Sequence, residues 1–281
     1  MLKTGIVLNH FGLDCTDDDA LALIKNAGFD TFFTGFRDEA TVDGIKNSAE
    51  KLGLIYESIH APFGGINCMW DAGDEGDEYV KNLTHVADVC KNFGIPYFTL
   101  HCMCVPKFND TDSKPLKWSE IGLDRFRRVA EHSEKLGVKA CFENVEFPHN
   151  EMAMLLDALT AEKIESVGFT YDAGHEHCYP SNGMDILDKF GHLLVGTHMH
   201  DNFGQSDKRV VTWNDDSHIM IFDGTVNFKR IGERLKNIGY RGSITLEMGK
   251  KDTLPWYNDM TAEEFLDMSH TRALHIARLC E

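Results

Sequence analysis

Positive charge is what this sequence has least of. Lys and Arg total 28 against 45 Asp and Glu, a formal charge of −17 over 281 residues. A field of that sign repels phosphate backbones, whose binding depends on cationic side chains, so nucleic acid is not an expected partner. Apolar runs of membrane length are also missing. The opening stretch MLKTGIVLNHFGLD has one Lys and a short apolar segment, so neither a spanning helix nor a secretory leader is expected. The eight cysteines, at 15, 68, 90, 102, 104, 141, 178 and 280, form no CxxC framework. Reduced, mostly buried thiols in a cytoplasmic protein are the expectation. Cys102 and Cys104 alternate along one strand and so point to opposite faces, which argues against joint chelation of a metal. VLNHFGLD, at the end of the first strand, has one Gly where a dinucleotide-binding turn needs three. No linker, low-complexity tract or shift of composition divides the chain, so residues 1–281 read as one domain.

What is present is a strict alternation. TGIVLN precedes DDDALALIKNAG, where three acids open a helix and a Gly closes it. TFFTGF, LIYESIH, YFTLHCM, VKACFEN, SVGFTYD, LLVGTHMH and SITLEM are each followed by an amphipathic stretch of helical length. Alternation of this kind implies parallel strands covered by helices, and eight repeats in this length match a single (β/α)₈ TIM barrel of the α/β class. An open doubly wound sheet is the competing arrangement.

In such a barrel, chemistry gathers at the C-terminal ends of the strands. The third strand ends at His60, the fourth at His101 and the fifth at Glu143. The sixth ends at Asp172 with His175 beyond, the seventh at His198 and His200, and the eighth at Glu247. Any one of these has a bland explanation as a capping or hydrogen-bonded scaffold residue. Together they do not, because a packed barrel has no structural use for so many titratable groups facing one axis. Two Glu and an Asp buried side by side need a cation or must take up protons.

Glu143, Asp172, His198 and Glu247 are the expected metal ligands. Their three carboxylates and one imidazole suit Mn²⁺ first, with Mg²⁺, Co²⁺ or Zn²⁺ as alternatives. His60, His101 and His200 are expected to contact substrate or orient the ligands, and His175, Asp216 and His218 to do either or to serve as further ligands. Glu146, His177 and Asp201 are weaker candidates, with His177 expected to face solvent. Trp70 and Trp256, in loops after the third and eighth strands, are candidate apolar platforms for a sugar face, or packing between loops.

IHAPFGGIN, LHCM, FENVEF, YDAGH, THMHDN, DSHIMIFDGTVNF and ITLEM, in this order, resemble the xylose isomerase-like TIM-barrel superfamily over nearly the whole chain. That superfamily holds sugar and sugar-phosphate isomerases and epimerases and also endonuclease IV. By resemblance to the ketose 3-epimerases, Glu143, Asp172, His198 and Glu247 hold the metal, the two Glu exchange protons with substrate, and His175 contacts sugar oxygens. Two features depart from those epimerases. Asp216-Ser217-His218 stands where they carry Asp-Arg-Gly, so a substrate-binding Arg is missing. With His60, His101 and His175, it also completes the ligand set that endonuclease IV uses for three zinc ions.

The expected activity is a metal-dependent sugar isomerase or epimerase. The ion polarises a carbonyl and stabilises an enediolate, with Glu143 and Glu247 as acid and base. The expected partner is a small carbohydrate, with a homo-oligomer compatible with the sequence. Three alternatives remain: an abasic-site nuclease with a multinuclear zinc site, a metal-dependent sugar lyase or deglycosidase, and a non-catalytic sugar-binding barrel. The acidic loops FGLDCTDDDA, FRDEATVDG and FGGINCMWDAGDEGDE weigh against the nuclease, and only SDKR and MGKKD offer close-set basic residues.

Overall fold

The computed structural model describes residues 1–103, 118–145, 149–179, 184–207, 211–212, 214–250 and 254–281. Cys104, Glu146, Lys208, Arg209 and Lys251 lie outside these residues. Strands β1 (Thr4–Val7), β2 (Thr31–Gly35), β3 (Ile55–His60), β4 (Tyr97–Leu100), β5 (Lys139–Glu143), β6 (Val167–Asp172), β7 (Leu194–His198) and β8 (Ile244–Leu246) are joined in the order β7-β6-β5-β4-β3-β2-β1-β8. All seven pairings are parallel. A parallel bridge between Met199 and Leu246 brings the two ends of the sheet together, with the Glu247 amide donating to the Met199 carbonyl at 3.1 Å. Eight strands thus form a single (β/α)₈ barrel, as the alternation predicts.

The helices among the described residues are α1 (Asp17–Asn26), α2 (Glu39–Leu52), α3 (Asp74–Phe93), α4 (Glu120–Leu136), α5 (His149–Ala161), α6 (Ala173–Cys178), α7 (Ile186–Phe190), α8 (Phe228–Asn237) and α9 (Ala262–Leu279). Local chemistry sets their ends. Thr16 and Asp19 form a reciprocal capping box on α1, and Thr261 and Glu264 form one on α9. Helix α3 stops at Gly94, whose φ of 66° is a left-handed conformation that costs other residues more.

Side chains alternate across each strand. Phe98, Phe142, Phe169 and Tyr171 join the apolar layer packed with the helices, while Glu143, Asp172 and His198 take the other face. The site is therefore a consequence of register: β3, β5, β6 and β7 end on an inward residue, and in β4 and β8 the inward residue is the next one. Among the described residues, Cys15, Cys68, Cys90, Cys141, Cys178 and Cys280 are free thiols, and Cys90, Cys102, Cys141, Cys178 and Cys280 are buried, as expected of core thiols. No helix among the described residues is long and apolar enough to cross a membrane.

Candidate metal and active site

Strand ends bring the predicted residues together. His60, Glu143, Asp172 and His198 are the final residues of β3, β5, β6 and β7, and His101 and Glu247 immediately follow β4 and β8. Among the described residues, three sets of ligand atoms result, the atoms of each lying within 4.8 Å of one another: Glu143, Asp172, His198 and Glu247; His60, His101 and Glu143; His175, His200, Asp216 and His218. The first is the expected ligand set. Glu143 belongs to two of the three.

Glu143 is fully buried. Its Oε1 lies 2.6 Å from His198 Nδ1, while Oε2 lies 3.1 Å from His101 Nε2 and 3.3 Å from His60 Nε2. The same His198 nitrogen is 3.2 Å from Glu247 Oε2. Asp172 links this set to the third: its Oδ1 is 3.1 Å from His200 Nε2, which is 3.6 Å from Asp216 Oδ1. His218 Nε2 is 3.4 Å from Asp216 Oδ1, and the His200 and His218 rings stack at 3.6 Å.

Charge in this pocket is balanced by proximity. Burial opposes ionisation of Glu143, but His198, His101 and His60 outweigh it and hold the carboxyl well below the usual range. Glu247 is lowered in the same sense, with burial opposed by His198. Burial likewise disfavours a charged imidazole at His198, yet Glu247 and Glu143 raise it well above the ordinary value. For His218 the Asp216 carboxylate overcomes burial and pushes the ring up to about 9.

Several buried polar atoms in the pocket have no hydrogen-bond partner: Asp172 Oδ2, His198 Nε2, His101 Nδ1, His175 Nδ1 and Asp216 Oδ1. Orphaned groups of this kind cost free energy unless something else satisfies them. Nitrogen and oxygen donors at this density, with lone pairs to spare, fit a divalent cation. The first set is oxygen-rich, whereas the other two are rich in imidazole, a softer donor set.

Residues that sequence reasoning did not single out hold the site in place. Asn144, next to Glu143, donates from Nδ2 to the Asp172 carbonyl at 2.7 Å and accepts the Asp172 amide at 2.8 Å. The Asn in FENVEF was the available signal. Phe33 stacks on His198 at 4.5 Å and Phe63 on His101 at 4.6 Å, so each imidazole has an aromatic wall. Gly174 is required by close approach, because a Cβ there would sit 2.1 Å from the His200 ring.

Other expectations resolve differently. Trp70 is not a sugar platform: it is buried, donates from Nε1 to the Cys102 carbonyl at 2.7 Å and packs on Trp118 and Phe126. The packing alternative therefore holds. Trp256 is exposed beside Met260, Met268 and Arg272 along α9, in a cavity that includes none of the three ligand sets. His177 is exposed, with Nε2 2.8 Å from the Thr225 hydroxyl. Asp201 is buried and accepts the amides of Asn202, Gly224 and Val226, so it anchors the loop after β7. His175, Asp216 and His218, for which a ligand role was one of the expectations, form with His200 a potential ligand set of their own.

Comparisons with known proteins agree with this architecture. Inosose isomerase of Halalkalibacterium halodurans is 25% identical over 193 residues, spanning 66% of this chain and 64% of the relative. Among solved structures, that of IOLI protein with a binding zinc atom superposes with a TM-score of 0.72 at 16% identity, covering 97% of this chain and 96% of the other. D-allulose 3-epimerase from Methylomonas sp. in complex with D-allulose superposes with a TM-score of 0.71 at 17% identity, covering 99% of this chain and 96% of the other. The model of the xylose isomerase-like TIM barrel family matches residues 21–268, and the chain belongs to that family.

Proposed function

We propose that this protein is a divalent-metal-dependent isomerase or epimerase of a small polyhydroxylated carbonyl compound. One observation carries the reading: Glu143 and Glu247, at the ends of β5 and β8, share His198 Nδ1 at 2.6 and 3.2 Å within a single ligand set. One carboxylate to take a proton and one carboxyl group to return one, beside a cation site, are what proton transfer next to a carbonyl requires. The relatives support the substrate class, since one is named an inosose isomerase and another holds a ketose.

Glu143, Asp172, His198 and Glu247 would hold the ion, which supplies Lewis-acid polarisation of the substrate carbonyl. Glu247 lines a cavity of about 470 Å³ with Asn9, His10, His218 and Lys250. As a carboxylate at the wall of that cavity, it would accept a proton from the carbon beside the carbonyl. Glu143, hydrogen-bonded to His60, His101 and His198, would be the second acid–base group, returning to the carbon a proton drawn from the His60 imidazole, whose charged form Glu143 favours against burial. Return to the opposite face of the same carbon inverts it, and return to the neighbouring carbon moves the carbonyl. His175 and His200 orient Asp172 or bind hydroxyls. The same first step would open a lyase reaction wherever the next carbon bears a leaving group.

The histidine-rich second and third sets favour one other reading, an abasic-site nuclease with several zinc ions. Charge opposes it. The segments after β1 and β3, with the first turns of α1 and α3, carry exposed Asp14, Asp18, Asp19, Asp71, Asp74 and Glu75, the wrong surface for a phosphate backbone. Incubating the Mn²⁺- or Zn²⁺-loaded protein with ketoses and inososes, followed by NMR of the products, tests the reading. Metal-dependent interconversion is expected, and the absence of any product across the panel contradicts it.

A further inference from the structure

Helix α6 carries His175 and begins at Asp172, yet it has only six residues, too few to hold an orientation on its own. Its far side is gripped. The Tyr171 hydroxyl, on the face of β6 opposite Asp172, donates to Glu176 Oε2. Arg234 of α8 closes on both oxygens of the same carboxylate, Nη1 to Oε2 at 2.7 Å and Nη2 to Oε1 at 2.9 Å. Its Nη2 also reaches Asp185, the residue that caps α7. The guanidinium is 9% exposed and lies 5.9 Å from the Tyr171 ring.

We propose that Tyr171, Glu176 and Arg234 form a positioning clamp that fixes α6, and with it Asp172 and His175, in the geometry needed to hold metal. The inference rests on the metal reading of the site above. A bidentate Arg–carboxylate pair fixes direction as well as distance. Because Tyr171 and Asp172 are adjacent on β6, the clamp grips the strand end and the helix together. Arg234 comes from the helix after β7, so it also locks the β6 and β7 connections to each other. None of the three clamp residues belongs to a ligand set, and each acts through Asp172 or His175.

The test uses Tyr171→Phe and Glu176→Gln, which keep side-chain volume, with Arg127→Met as a control that breaks the exposed pair between Arg127 of α4 and Glu162 beyond α5. Zn²⁺ and Mn²⁺ are titrated into each metal-free protein by calorimetry, and thermal unfolding of the metal-free forms is recorded in parallel. The clamp predicts that both variants lose ~10–100-fold in affinity, the range for losing a residue that orients a ligand, while the control keeps it. Unchanged affinity in both variants, with lowered thermal stability, would show a structural role alone and overturn the clamp. If the unaltered protein binds neither ion, the metal reading itself fails. Hydrogen exchange at the His175 amide then decides the clamp: faster exchange in Glu176→Gln supports it, and equal exchange overturns it.

Discussion

Asp172 caps the helix that bears His175, accepting the His175 amide on Oδ1 at 2.6 Å, while its Oδ2 has no hydrogen-bond partner. One oxygen shapes the backbone and the other is free for a cation. The two roles separate by mutation. Asp172→Asn keeps a capping oxygen and should leave the metal-free protein within about 1 kcal/mol of the parent, because Asn caps as well as Asp. It should nevertheless lose bound metal, since it is no longer an anionic ligand. Elemental analysis after dialysis reads the outcome, and an unchanged stoichiometric metal content would remove Asp172 from the ligand set.

The metal-free protein should be sensitive to alkali. With His218 pushed up to about 9 by Asp216, its charged form is favoured by the folded state. That contribution is complete below about 6.5, the unfolded value, and is lost as pH rises through about 9. Urea unfolding of chelator-treated protein should show a fall on the order of 1–3 kcal/mol across that interval. His218→Gln should flatten the curve. Saturating Zn²⁺ should give the opposite trend, because protons compete with the ion for imidazole and bound metal is lost as pH falls. Metal-free stability that rises between these pH values would contradict the assigned ion pairs.

Proton transfer is assigned to Glu143 and Glu247. Glutamine keeps the shape and one oxygen but accepts no proton, so each Glu→Gln change should cost ~10²–10⁴ in turnover at matched metal occupancy. Steady-state assays on metal-quantified samples provide the comparison. Near-normal turnover in both metal-loaded variants would remove the two-glutamate mechanism.

Nucleic acid should be ignored. At a formal charge of −17, the protein should bind an abasic-site duplex no better than an undamaged one at moderate salt, by fluorescence anisotropy. Specific incision of the abasic duplex at catalytic enzyme concentration would restore the nuclease reading.

Much of the site was legible because parallel barrels place the last inward residue of every strand at one mouth, so FEN, TYD, THMH and LEM announce Glu143, Asp172, His198 and Glu247 in turn. The strands themselves were legible from their short β-rich runs. Helix α6 was not: AGHEHC is short, has two histidines and a Gly, and is held by Asp172 and by contacts with α8 that no local pattern reveals. Trp70 was ambiguous for the same reason. An aromatic in a loop reads alike whether it faces a ligand or fills a gap against Trp118 and Phe126, and only the packing decides. The division of the ligands into three sets, two of them sharing Glu143, depends on distances between strands that sequence order does not encode.

The most direct measurement follows carbon-bound protons. Metal-free and metal-loaded protein would be incubated in deuterated water with ketoses and inososes, and the products read by NMR. The account predicts a new epimer or carbonyl isomer that forms only with divalent metal, disappears with chelator and returns when the ion is restored. Deuterium at the reacting carbon adds support wherever the glutamate proton exchanges with solvent. A metal-loaded protein that leaves every such compound unchanged while cleaving abasic DNA would contradict the account at its centre.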